Sequence, residues 1–280
     1  MKDEFKTEPI QLLPVLTSLV FGIACAYVVL ASSVSLYQVT PFPEGIGSVG
    51  NGLYFVILAG IGATLLYLLI KRKKLRVISL ITGFALTAAA LLLSIIYLSA
   101  AFSLLSLDSI AASILTIAAS IFLTVFTDLA IFKIRGKTSN IVILLLGGAL
   151  GAFLGISIPI ESGVLILAFL AVYDIFTVYR GPVGKIAQSG LEQLRGLSFS
   201  FRDLQMGLGD LTFYSMLACL VLENAGPTLA RALVFCAASA IGVLIGVLLV
   251  LKMLEKRGMF PGLPFPVLLG LLPLAVYFIL

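Results

Sequence analysis

Nine apolar stretches, each long enough to cross a bilayer, constrain what this chain can fold into: residues 10–34, 53–70, 77–100, 109–132, 139–158, 163–179, 206–223, 228–251 and 262–280. A hydrocarbon core of about 30 Å is crossed by about 20 helical residues, each rising about 1.5 Å. Backbone groups at that depth have no water to bond, so helices are expected throughout. Of the 280 residues, 61% are hydrophobic and 11% charged, more apolar surface than a water-soluble domain of this size can cover. The expectation is an all-α polytopic membrane protein, a single integral unit over 1–280 in a cell membrane. Spans one to five occupy 1–158 and spans six to nine 159–280, with one substantial polar loop at 181–205.

The basic residues set the direction. With the N-terminus cytoplasmic and nine alternating spans, every one of the 18 Lys and Arg residues except Arg231 falls on the cytoplasmic side, as the positive-inside rule requires. The C-terminus is then extracytoplasmic. A net charge of +5 would suggest nucleic acid in a soluble protein; here the cations gather in loops, and no nucleic-acid partner is expected. The first span begins with acidic residues and runs too long for a cleaved signal peptide. It is expected to remain as a span.

The sequence contains no histidine, which removes His-based metal sites, Ser-His-Asp triads and Cys-His dyads. Cys25, Cys219 and Cys236 all lie in apolar runs without a CxxC spacing and read as small core residues. Neither a metal nor another cofactor is expected. Small residues recur at i+4 spacing at Gly147, Gly151 and Gly155, and again at Ala238, Gly242 and Gly246. Such faces allow close helix approach in lipid. They read first as the contacts of a compact bundle and second as a homo-oligomer surface.

Two acidic residues stand apart from the rest. Asp108, Glu161 and Glu223 lie at outer span ends, and Asp128 is five residues before Lys133, near the inner interface. Asp174, six residues before Arg180, lies roughly 9 Å inward from the inner face at about 1.5 Å per residue. Asp210 is eight residues after Arg202, at comparable depth on the next, antiparallel span. Burying an ionised carboxylate there costs about 2.5–3.5 kcal/mol even on lenient insertion scales. Two carboxyls facing each other in a low dielectric share one proton and titrate as a pair. The ionised member can take a proton from water while the protonated member polarises a carbonyl. A proton- or cation-coupled transporter also places carboxylates at this depth. Depth and pairing alone leave both readings open.

Local sequence separates them. Tyr173-Asp174 in the sixth span, Gly207-Leu208-Gly209-Asp210 opening the seventh, and Pro261-Gly262-Leu263-Pro264 opening the ninth resemble the YD, GxGD and PALP signatures of the presenilin and signal peptide peptidase family. The stretch LGDLTFYSML around Asp210 is especially presenilin-like. The resemblance implies a presenilin-like fold of nine transmembrane helices, of the compact archaeal type. It also implies an intramembrane aspartyl endopeptidase acting on transmembrane-helix substrates within the bilayer, with Asp174 and Asp210 catalytic. The presenilin branch shares the orientation read from the charges, whereas signal peptide peptidases are inverted. Prepilin-peptidase-like GxGD proteases have a different span layout and a sizeable cytoplasmic region, which this chain lacks.

The remaining motif residues are then expected to support that site. Gly207 and Gly209 leave room beside Asp210, with Leu208 between them. Tyr173 points about 100° away from Asp174 on a helix and is expected to wall the site. The family's alanine is replaced by Gly262, which adds backbone freedom. Pro261 and Pro264 exclude regular helix, so this segment is expected to hold unwound substrate, with Leu263 positioning substrate rather than filling the core. In the loop 181–205, the alternation Leu197-Ser198-Phe199-Ser200-Phe201 suggests a strand whose edge could pair with unwound substrate. The loop lacks the long apolar insert that presenilins cut within themselves.

Overall fold

The computed structural model describes residues 7–106, 109–134, 136–180, 196–201 and 204–279. Among these residues the elements run in chain order as nine α-helices and one β-hairpin. A short 3-10 turn leads into α1 (Leu13–Ala31), followed by α2 (Ile46–Lys71), α3 (Leu75–Leu104), α4 (Ile110–Asp128), α5 (Lys137–Ser157) and α6 (Ile160–Tyr179). The hairpin β1 (Ser198–Phe201) and β2 (Leu204–Gly207) precedes α7 (Leu208–Asn224), α8 (Leu229–Arg257) and α9 (Pro264–Ile279).

Seven of these helices, α1 to α6 and α8, are long and apolar enough to cross a membrane. The other two depart from the expected span bounds, since α7 has 17 residues and α9 has 16. Each is shortened at its N-terminal end because the backbone leading into it is not helical. Residues 204–207 form β2, and 259–263 are irregular between Gly258 and Pro264. Gly258, at φ +70°, closes α8 in the left-handed region, where an L side chain would be strained. α2 and α3 run longer than expected at the loop ends, starting at Ile46 and ending at Leu104 respectively.

Helix α5 is the hub, and its glycines explain why. Gly151 and Gly155 lie against α7 so closely that a Cβ on Gly151 would overlap the Thr212 carbonyl, and one on Gly155 would come within 2.6 Å of the Met216 carbonyl. On another face, a Cβ on Gly148 would overlap the Ser18 carbonyl of α1. The second small-residue face works the same way: Gly246 meets Pro266 and Gly242 meets Leu269, clamping α8 to α9. The glycines of both faces are spent inside the bundle, while Ala238 is exposed. One continuous hydrophobic core runs from Val15 on α1 to Val267 on α9 and includes buried Cys219 and Cys236, with Cys25 half-buried beside them.

Buried polar side chains tie helices together where apolar packing cannot fix register. Asn51 of α2, with no exposed surface, donates to the Ser162 hydroxyl at 2.8 Å and the Phe42 carbonyl at 2.9 Å and accepts from the Phe42 amide at 3.0 Å. This pins the start of α2 to the start of α6. Asp128, at the end of α4, accepts from the Thr87 hydroxyl of α3 at 2.9 Å, so a neighbouring helix satisfies it. Beyond it the chain continues as a π-helical stretch, Leu129–Ile134.

Candidate active site

Three chain segments meet at one point, and each arrives there for a local reason. Asp174 lies in the second half of α6, a run with no glycine or proline between Val164 and Arg180. Its neighbour Thr177 satisfies itself by donating to the Asp174 backbone carbonyl at 3.2 Å. Asp210 lies in the first turn of α7, three residues after the N-cap Gly207. A carboxylate there faces the positive end of the helix dipole, and it interacts with the Gly207 amide.

The hairpin aims α7. β1 pairs with β2 in antiparallel register, Phe199 opposite Met206 and Ser198 opposite Gly207. Phe199, Leu204 and Met206 are buried, so the alternating stretch expected to be a strand presents one apolar face to the core. The Leu208 amide continues the pairing by donating to the Leu197 carbonyl at 2.8 Å. The strand therefore passes into α7 without a loop, and Asp210 follows at once.

The third segment is the lead-in to α9. Pro261 and Pro264 have no amide donor, and the first helical bond of α9 runs from the Val267 amide to the Leu263 carbonyl at 3.0 Å. The rings of Phe260 and Phe265 stack at 5.7 Å between centroids, bracing the bend. The Leu263 amide donates to Asp174 Oδ2 at 3.0 Å. The preceding residue, Gly262, lies against the other aspartate: a Cβ built there would sit 3.5 Å from Asp210 Cγ and Oδ1. Two consecutive residues thus touch both carboxyls, which are also close enough to interact electrostatically. Both aspartates are partly exposed.

The expected supporting residues divide. Gly209 is exposed, and a Cβ there would meet little besides the Phe213 ring at 3.9 Å, while one on Gly207 would come within 3.7 Å of Asp210 Oδ2. The space beside Asp210 is thus on the Gly209 side, and Gly207 already lies at contact distance from the carboxyl. Leu208 instead packs into the core under Gly147. Tyr173 lies against Gly60 of α2, its hydroxyl 3.5 Å from where a Cβ there would be. Leu263 is 5% exposed and belongs to the core, which corrects the expectation that its side chain positions substrate. Its backbone amide, not its side chain, meets the site. Pro261 is buried and Pro264 opens α9. Residues 181–195 and 202–203 of the polar loop lie outside the described residues.

The sequence reading missed Tyr214. It sits one helical turn after Asp210, is 1% exposed, and donates its hydroxyl to the Gly262 carbonyl at 2.8 Å. A signal was present: a tyrosine in an apolar run needs a partner for its hydroxyl, and i+4 spacing puts it on the face of Asp210.

One solved structure of a presenilin family intramembrane aspartate protease, in space group C222, aligns over 95% of this chain and 96% of its own, with a TM-score of 0.65 at 22% identity. A second, in space group P2, aligns over 95% of both chains with a TM-score of 0.62 at 23% identity. The chain has the presenilin-protease fold. No family model and no curated protein matches the sequence. With the presenilin fold and its seven long apolar helices, the chain is a multi-pass integral membrane protein.

Proposed function

We propose that the chain is an intramembrane aspartyl endopeptidase of the cell membrane that hydrolyses peptide bonds within transmembrane helices, with Asp174 and Asp210 as the catalytic pair and no cofactor. The observation that carries this reading is the convergence of both aspartates on the Gly262–Leu263 peptide, in a fold shared with presenilin family proteases. One carboxylate takes a proton from water, and the hydroxide attacks the scissile carbonyl. The other carboxyl donates its proton to the carbonyl oxygen. Collapse of the tetrahedral intermediate breaks the C–N bond, with the proton returned to the leaving amine. A substrate helix must unwind first. The outer edges of the two-stranded sheet offer backbone partners to the unwound segment by β-augmentation, and Gly209 leaves it room. In this reading 1–280 is one protease unit, in which spans one to five scaffold the catalytic part, 159–280.

Incubating the purified protein with a labelled transmembrane peptide and identifying the products by mass spectrometry tests the activity; intact peptide under all conditions would refute it. Cleavage is expected to follow a bell-shaped pH profile, because only the singly protonated pair is competent. At low pH both carboxyls are protonated and no base remains; at high pH both are ionised and no acid remains. A profile that rises to a plateau on either side, or inhibition by a metal chelator, would point to different chemistry.

The orientation is part of the proposal: N-terminus cytoplasmic, C-terminus extracytoplasmic. Cysteines placed at Lys73 and Lys137 are expected to react with an impermeant thiol reagent only from the cytoplasmic side, and one at Glu44 only from outside. The reverse pattern would invert the topology.

A further inference from the structure

We infer that Tyr214 is a positioning residue that fixes the peptide group between Gly262 and Leu263, and so sets the geometry of the segment facing both aspartates. The inference rests on the protease reading for its kinetic consequence. The carbonyl of Gly262 and the amide of Leu263 are the two ends of one planar peptide group. The carbonyl end accepts from the Tyr214 hydroxyl at 2.8 Å, and the amide end donates to Asp174 at 3.0 Å. Helices α7 and α6 therefore grip the same plane from opposite ends, and the plane cannot rotate without losing both bonds.

The grip matters because the backbone of this segment has few amide donors of its own. Pro261 and Pro264 supply no amide donors, and Gly262, whose φ is not positive, gains conformational freedom without needing it for this fold. Tyr214 is suited to compensate. Its ring is 1% exposed and cannot swing away, and it is one turn from Asp210, so it ties the segment to the helix that carries that carboxyl. A methyl group fits at position 262: the built Cβ lies 3.4 Å from the Tyr214 hydroxyl and 3.5 Å from the Asp210 carboxyl, ordinary contact distances. Alanine there would stiffen the backbone and do part of the tyrosine's work.

Three variants of the full-length protein, Tyr214→Phe, Gly262→Ala and the double variant, test this with two readouts. Tyr214→Phe keeps the ring and removes only the hydroxyl. It is expected to lower kcat on a labelled transmembrane peptide by about three- to tenfold, the range for one hydrogen bond, with KM little changed. Hydrogen exchange at the Leu263 amide, read by mass spectrometry, is expected to speed up. Measured against Gly262→Ala alone, the double variant is expected to show a substantially smaller loss of both rate and amide protection than Tyr214→Phe shows against wild type. Unchanged Leu263 exchange in Tyr214→Phe overturns the inference, as does additivity of the two substitutions. If wild type cleaves nothing, the protease reading fails, and the exchange data still decide the role of Tyr214.

Discussion

Asp174→Asn and Asp210→Asn are each expected to reduce cleavage of a transmembrane peptide by at least about 10³-fold, toward the upper range for loss of an acid–base group. Each substitution preserves volume and removes one proton-transfer partner. The two are not expected to behave alike in the folded state. Asp174 accepts the Leu263 amide, and an asparagine there retains a carbonyl oxygen for that bond. Asp210 interacts with the Gly207 amide in the first turn of α7, where a neutral amide loses the favourable charge–dipole term of roughly 0.3–1 kcal/mol. Both variants should remain folded by size-exclusion chromatography and thermal melting. The double variant should be no worse than either single one, because residues acting as a unit are not additive. Near-normal turnover in either single variant would remove the pair from the mechanism.

The second large effect is expected at a residue far from any chemistry. Gly151→Leu should lower the melting temperature by roughly 2–12 °C, taking overpacking at about 1–3 kcal/mol and about 2–4 °C per kcal/mol for a chain of this order. It should also abolish cleavage. Even a Cβ at Gly151 overlaps the Thr212 carbonyl and reaches Ser215, so a leucine must drive α5 away from α7, the helix that carries Asp210. Gly62→Leu is the control, since a Cβ there meets nothing within 4 Å; it should change neither quantity. Equal behaviour of the two variants would show that the α5–α7 contact does not hold the site together.

The legible and illegible parts of this molecule differ by the range of the interaction that produced them. Most span positions and the hairpin strand at Ser198–Phe201 follow from hydropathy and spacing, which act within about a turn or two of chain. The convergence of segments at 174, 210 and 262 was readable only because three short patterns stand in a familiar order. What stayed hidden depends on partners distant in sequence. Nothing near Leu263 reveals that its side chain faces the core while its amide faces Asp174. Leu208 reads as part of a site motif, yet Gly147 of α5 receives it. The match of Asn51 with Ser162 appears only once α2 stands beside α6. The shortness of α7 and α9 was hidden because hydropathy cannot distinguish an apolar strand or a Pro-interrupted approach from the first turns of a helix.

That shortness has a consequence for the lipid rather than the protein. At about 1.5 Å per residue, the 16 residues of α9 span roughly 24 Å, against a hydrocarbon thickness of about 30 Å. α9 turns Leu268, Leu272 and Val276 outward, so acyl chains beside it meet an apolar belt several ångströms too short. A bilayer relieves such hydrophobic mismatch by thinning locally. The irregular stretch that leads into α9 carries Gly262 and Leu263 past the two aspartates, so in the proposed protease a thinning beside it would bring water nearer the site. Acyl-chain length would then bear on hydration of the site, with longer chains raising the cost of thinning and shorter ones removing it.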